Sequence, residues 1–525
     1  MDKNKLLLFP LCIGVMLIIY SWSSNYPLSI DSPADFLFNH ISPVYWWGLA
    51  LTLASLYIIA TTLKSDILKW IITTGIVMSM YSLSYFYYQI PGSDSHYFRG
   101  LTEYSLTTEN LDPSEPYHSY FQWPLFFILS KTAYALGLNA RYFEFVLFAV
   151  IGVLYVTSLY CIYRKSSKDG AYLAVVSFFI TMTYYLNYQF APFSLCIGLL
   201  FVLFMLQSYD VKKREVTLIT LIIFTSMTLL HSFLPAFFIL YILVKYAITR
   251  DRMYIKLFLV TLAIYFVVLM YQARIFFQMA LQDLLRLGSA EYGKFAEGLF
   301  VGAVTPVDAL AQTFSRTAVI VTAIASGFGF VILLLRRELR RNDYAILLSG
   351  IIYVVMGAIM PILGVRAFAL IGIPVSLGAT YFLKGRFRIY YQCLLLILIT
   401  SFTFVPLHSS YVSTRSQIMF QTKEDYQCAN FLIDHYNWNK TSLVLSDIRS
   451  THYLATKSYS YNVSFDNDFS VYFPRDIKEY DCIMLTVGLQ KSFLRYNSTE
   501  SIFDKINEKN RAYDSGFSHI FIEPD

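Results

Sequence analysis

Apolar runs of roughly 17 to 25 residues, the length that crosses a hydrocarbon core as helix, recur from the N-terminus to about residue 407 and then stop. Inside lipid every backbone N–H and C=O must find its partner within the segment, so such runs have helix as their only solution. They fall near residues 5–20, 44–62, 68–88, 142–162, 171–187, 191–208, 216–232, 234–249, 256–272, 317–335, 344–362, 367–383 and 389–407, about thirteen in all. A chain that is 56% hydrophobic and only 14% charged lies outside the range of ordinary soluble domains. The expected fold is an α-helical polytopic module over residues 1–407 in the cell membrane, followed by a small α/β domain over 408–525.

Orientation follows from Lys and Arg in the connections. One set of loops holds 19 of them, among them Lys64, Lys69, Arg164, Lys168, Arg340 and Arg341, against 8 in the alternate set, whose loops are longer. The positive-inside rule makes the first set cytoplasmic. The net charge of +6 is thereby explained by topology, and no nucleic-acid partner is called for. The N-terminal stretch MDKNKLLLFPLCIGVMLIIYSWSSN fits a cleaved signal peptide and a signal anchor equally.

Three long connections, 21–43, 89–141 and 273–316, all fall on the external side, and connections of such length usually carry function. In the second, Tyr97, Leu101 and Tyr104 recur at helical spacing after Asp94, while Arg99 and Glu103 point elsewhere, as in a helix over 95–107 lying on the bilayer surface. The segment FQWPLFFIL is too short to cross and is expected at the interface, with Tyr120 and Trp123 at headgroup depth. Beyond residue 408, KEDYQCANFLIDHY reads as an amphipathic helix, TSLVLSD and YDCIMLTV as strands, THYLATK and TESIFDKINEKNRAY as helices, and RAYDSGFSHIFIEPD as a turn and strand. Three sequons, at Asn439, Asn462 and Asn497, are compatible with an external face. Cys428 and Cys482 share this tail, where a disulfide is one of two outcomes.

Nucleotide and zinc motifs are missing: there is no G-x-x-x-x-G-K-[ST], C-x-x-C or H-E-x-x-H, and the one G-x-G, at Gly327 to Gly329, sits inside an apolar run. An external reactive centre sees little ATP or nucleotide sugar, so an activated group must arrive on a lipid. Asp94 at the outer membrane boundary can accept the proton of an acceptor hydroxyl, or hold a divalent cation, Mg²⁺ or Mn²⁺, that neutralises a leaving phosphate. Lipid and neighbouring Glu103 would push its pKa up and a metal would push it down. Capping of a helix over 95–107 is the competing role for Asp94. His96 stands beside it without forming a demonstrable dyad. Arg366, set in a nearly continuous apolar stretch, can clamp a lipid phosphate at the external end of its hairpin, or serve as a topological anchor. His231, Arg274 and Arg316 are further candidate phosphate contacts, and Glu144, one turn into its span, is a candidate second acid.

An acidic residue shortly after a span, then a surface helix, then an aromatic-Trp-Pro-Leu segment ("PGSDSHYF" to "YFQWPLFF") resembles the GT-C superfamily of integral membrane glycosyltransferases, and "GVRAFALIGIPVSL" and "NRAYDSGFSHIFI" look similar to prokaryotic, archaeal-type members. The resemblance implies a polyprenyl-phosphate sugar donor, a glycan or protein acceptor, inversion at the sugar, Asp94 as base or metal ligand, and Arg366 near the donor phosphate. A hairpin precedes the acidic loop here, adding two crossings but keeping the loop's side. The loop has no D-x-D, which leaves metal dependence open. The tail has no W-W-D-Y-G, which argues against an oligosaccharyltransferase. A lipid-linked oligosaccharide flippase or transporter, and an O-antigen-type polymerase or ligase, are the alternatives; the first would place ionisable groups near the midplane and the second would dispense with an essential acid.

Overall fold

The computed structural model describes residues 3–25, 42–81, 95–108, 119–138, 140–182, 191–209, 214–275, 277–278, 306–359 and 361–383, short pieces at 390, 392–394 and 396–397, and, in the tail, 423–435, 443–445, 453–454, 464–465, 482–485, 510–514 and 519–522. Helices dominate. In chain order they are α1 (Lys3–Asn25), α2 (Pro43–Thr62), α3 (Asp66–Tyr81), α4 (Ser95–Thr108), α5 (Leu125–Ala135), α6 (Ala140–Ser166), α7 (Ala171–Thr181), α8 (Pro192–Gln207), α9 (Arg214–Thr228), α10 (Leu234–Thr249), α11 (Arg252–Val267), α12 (Pro306–Leu335), α13 (Arg341–Ile359), α14 (Pro361–Leu377) and α15 (Lys423–His435).

Each apolar segment read from the sequence up to residue 383 coincides with one of these helices, and the last, 389–407, lies mostly outside the described residues. By length and composition three can cross a membrane: Pro43–Thr62, Tyr142–Ser166 and Arg252–Gln272. Others, among them Ala171–Thr181, Pro192–Gln207 and Leu234–Thr249, are apolar but shorter. A full set of thirteen crossings is therefore not established. The expected interfacial segment takes the form of a 3-10 turn, Ser119–Gln122, leading into α5, whose 11 residues reach only ~16 Å.

Why the helices pack as they do is plainest at α7, where all eleven residues are buried. A helix apolar all round belongs at the centre of a bundle, and α3, α6, α12 and α14 surround it. Around this core the outer helices turn large apolar side chains outward, such as Leu218, Ile222, Leu259, Phe266, Ile324 and Phe328. Such a surface is unfavourable in water and suits hydrocarbon. Tyrosine hydroxyls tie the inner helices together: Tyr155 donates to the Ser194 carbonyl at 2.8 Å and Tyr163 to the Ile373 carbonyl at 2.9 Å. α1 crosses α2 where Gly14 and Gly48 face each other, small residues that let two backbones approach.

The cationic loops converge on one end of the bundle. There Arg164 pairs with Asp66 at 2.7 Å, Lys165 donates to the Ser208 carbonyl at 2.6 Å, Arg340 donates to Ser166 at 2.7 Å, and buried Lys245 reaches Asn342 at 2.9 Å. α6 runs from this end to the other, and the 22 helical rises from Ser166 back to Glu144 span ~33 Å, about one hydrocarbon thickness.

The tail forms a five-stranded sheet in the order β2-β1-β3-β5-β4, with β1 (Leu443–Leu445), β2 (Ser464–Phe465), β3 (Cys482–Leu485), β4 (Asn510–Asp514) and β5 (His519–Ile522). β1 pairs in parallel with β2 and β3, whereas β5 is antiparallel to β3 and β4. α15 contributes Cys428, Ala429 and Leu432 to a core completed by Tyr453, Leu454, Cys482, Met484 and Ile520. This bears out an α/β tail, with one correction: Asn510–Asp514, read as the end of a helix, is the first strand of a hairpin, because pairing with β5 outweighs the local helical pattern. Cys428 and Cys482 sit in the same core as free thiols, and burial pushes the Cys428 thiol up.

Candidate functional site

α4 opens at Ser95, so the expected helix is present; the capping role expected of Asp94 concerns a residue just before it. Asp94 itself lies outside the described residues. Phe98, Leu101, Thr102 and Ser105, at i, i+3, i+4 and i+7, form its buried stripe. Phe98 and Tyr97 meet Tyr120 edge-on at 4.8 and 5.7 Å, and Tyr120 lies 5.7 Å from Trp123. Trp123, expected at headgroup depth, is covered by protein, buried against Leu269 and Ala273. The reason is the end of α11, which leaves regular α-helix for a π turn at Val268–Gln272 and brings Ala273 over the indole.

Arg99 departs most from expectation. Its place off the apolar stripe predicted exposure, yet it is 3% exposed. A second layer covers it: Tyr426 of α15 lies over the guanidinium, 4.8 Å from ring centroid to Cζ. Arg99 Nε donates to Glu103 Oε1 at 3.2 Å and forms an ion pair with Glu144, 3.8 Å from its Oε1. Glu144 is 2% exposed. Two tail tyrosines close on Glu103: the Tyr426 hydroxyl lies 3.3 Å from Oε1, and the Tyr453 hydroxyl lies 2.9 Å from Oε2 and 3.1 Å from Asn430 Oδ1. One cation thus sits between two carboxylates in a pocket walled by aromatic rings.

The electrostatics follow from that arrangement. Burial pulls the Arg99 guanidinium down, but Glu144, then Tyr426 and Glu103, more than offset it and hold the group above its ordinary range. Burial, then the Glu103 charge, pushes the Tyr453 phenol well up, so it stays a hydrogen-bond donor. Tyr134 of α5 is pushed up by burial and then by Glu144.

Other candidates gather at the same end. His231 is buried, its Nδ1 accepts from the Phe233 amide at 3.2 Å, and its ring lies 5.4 Å from Phe193. Leu125, just after the Trp123 turn, donates its amide to the Leu229 carbonyl, two residues before His231. Arg274 is exposed and adjoins Ala273, which packs on Trp123. Tyr120 and Trp123 are thus in ring contact with each other and with α4, while His231 and Arg274 belong to the segments that pack beside them. His96, Arg316 and Arg366 lie in α4, α12 and α14, but their side chains are outside the described residues. Among the described residues no group of three or more His, Cys, Asp or Glu could hold a metal ion, and the metal role assigned to Asp94 falls outside them.

Arg99, Tyr426 and Tyr453 were not singled out from sequence. The i,i+4 spacing of Arg99 and Glu103 marks the ion pair, and Glu144 stood out as a charge in a span, but nothing in the tail marks its two tyrosines. Comparison with protein-family models and with curated proteins finds no match. Function is accordingly argued from these side chains.

Proposed function

We propose that the chain is a membrane glycosyltransferase that moves a sugar from a polyprenyl-phosphate donor to an extracytoplasmic acceptor, a lipid-linked glycan or a protein. The observation that supports it is the gathering of Glu103, Glu144, Tyr120 and Trp123, with Tyr426 and Tyr453 of the tail over Glu103, at the end of the bundle opposite the cationic loops. In this reaction Asp94 accepts the proton of the acceptor hydroxyl as that oxygen attacks the anomeric carbon. The sugar–phosphate C–O bond breaks on the far face, its electron pair leaves with the polyprenyl phosphate, and the anomeric centre inverts. Arg366 draws the departing phosphate through bidentate hydrogen bonds. Glu103, engaged with Arg99 and two phenols, acts as a positioning residue that holds the tail over α4.

Sugar transfer from a lipid-linked donor in membranes carrying Asp94→Asn and Arg366→Ala tests this directly. Asp94→Asn is expected to lose about 10²- to 10⁴-fold in rate, the range for a positioned general base. Full activity in that variant overturns the mechanism, and loss in Arg366→Ala alone would favour a polymerase. Chelation by EDTA in the same assay reads the requirement for Mg²⁺ or Mn²⁺.

A further inference from the structure

At the opposite end of the bundle, between the α2–α3 connection and the α6–α7 turn, lies a cavity of about 580 Å³ bounded by Lys64, Lys69, Ser166, Lys168, Asp169 and Tyr172. Three amines face it against one carboxylate. Lys69 is 6% exposed, and its ammonium has no acceptor within hydrogen-bonding distance among the described residues. The nearest carboxylate, Asp169 Oδ1, is 3.9 Å away on a side chain 92% exposed, and the Tyr172 ring centroid is 5.9 Å away. The ammonium therefore keeps its hydrogen-bonding capacity for an anion in the cavity, with only a long, solvent-exposed ion pair to compete.

The backbone favours the same sign. α7 begins at this turn, its N-cap Gly170 provides no side-chain cap, and Tyr172 of its first turn lines the cavity, so the helix's positive end lies beside it. At the end of α2, which would repel an anion, Thr61 and Thr62 turn their hydroxyls back onto the Ile58 and Ile59 carbonyls at 2.7 and 3.0 Å. Asp66, the other acid nearby, is already taken by Arg164 at 2.7 Å, leaving Lys168 at 3.9 Å. The volume falls in the range of organic-ligand clefts and exceeds what a simple ion fills.

We infer that this cavity binds a phosphate-bearing group, the headgroup of an anionic phospholipid or a soluble pyrophosphate compound, whose oxyanions take hydrogen bonds from Lys69 and from the α7 N-terminus, with Lys64 and Lys168 at the rim. The site is separate from the transfer reaction and is measured by binding alone.

The test uses the full chain in nanodiscs. In uncharged phosphatidylcholine discs, inorganic pyrophosphate is titrated calorimetrically; in discs containing phosphatidylglycerol, lipid retained after detergent extraction is read by native mass spectrometry. A soluble ligand gives binding in the first arm, and a lipid headgroup gives retention in the second. In either arm Lys69→Met is expected to weaken binding about tenfold or more, the worth of a hydrogen bond to a charged group. Lys64→Gln/Lys168→Gln, which alters only exposed side chains, should weaken it by a smaller factor and decides the matter if Lys69→Met does not fold. No binding in either arm, or binding that both variants leave unchanged, overturns the proposal.

Discussion

Arg99→Met removes the one cation between Glu103 and Glu144 and leaves a carboxylate that is 2% exposed without its counter-charge. At 3.8 Å and an effective dielectric near 20, the Arg99–Glu144 attraction alone is about 4 kcal/mol. Desolvation offsets much of this in the intact pair, but once Arg99 goes the desolvation of Glu144 stays and is uncompensated, so the substitution should cost about 3–5 kcal/mol. Glu144→Leu behaves differently. Arg99 keeps Glu103 at 3.2 Å and the Tyr426 ring, so the cost should be nearer 1–3 kcal/mol. In Arg99→Met/Glu144→Leu the orphaned buried charge disappears, and the double variant should be more stable than Arg99→Met alone, with a coupling energy of about 2 kcal/mol. Reversible unfolding in mixed micelles titrated with dodecyl sulfate measures all four corners of the cycle. Additivity within about 0.5 kcal/mol, or an Arg99→Met cost below about 1 kcal/mol, would refute the idea that a desolvated ion pair holds this end together.

Two further outcomes follow from the same geometry. The Tyr453 phenol is raised above its ordinary 10.0, so its contribution is fully present below that value and falls as pH climbs through the folded-state value; Tyr453→Phe should therefore show a shallower alkaline loss of stability than wild type, read by hydrogen exchange over 423–435. Gly48→Val should destabilise the α1–α2 crossing by about 1–3 kcal/mol, since a Cβ there meets the Gly14 carbonyl at 2.8 Å, whereas Gly75→Ala, whose Cβ meets nothing nearer than 3.8 Å, should be tolerated in the same unfolding titration.

How much of this was legible in the sequence depends on which layer of structure is asked about. Runs such as Pro43–Thr62 announce helices because hydrocarbon-length apolarity admits little else, and α4 was readable from Tyr97, Leu101 and Tyr104 at i, i+4 and i+7. Sequence periodicity, however, describes one helix against one layer. Arg99 was placed outside because nothing in SHYFRGLTEYSL states that α15 will fold back over its polar face. Trp123 was assigned to a membrane interface for a similar reason: amphipathic indoles favour headgroups in general, but here the π turn in α11 presents a protein surface instead. The hairpin of Asn510–Asp514 with β5 is a third case, a strand created by its partner.

The closure of the tail on α4 bears on how the acids divide their work. Both Glu103 oxygens face tail phenols, and one also accepts from Arg99, so its lone pairs are committed while the tail is docked. A proton acceptor needs an uncommitted lone pair aimed at substrate. Ser95, where α4 begins, lies eight positions before Glu103, just over two helical turns or ~12 Å along the axis. Rigidity at Glu103 also fixes the direction in which α4 emerges at Ser95, and through it the placement of the residue before it. Loosening the Tyr453–Glu103 contact should then disturb turnover more than acceptor affinity, since misplacing a base affects the transition state first. Tyr453→Phe with an unchanged kcat and a raised KM would contradict this division and place the tail in acceptor binding.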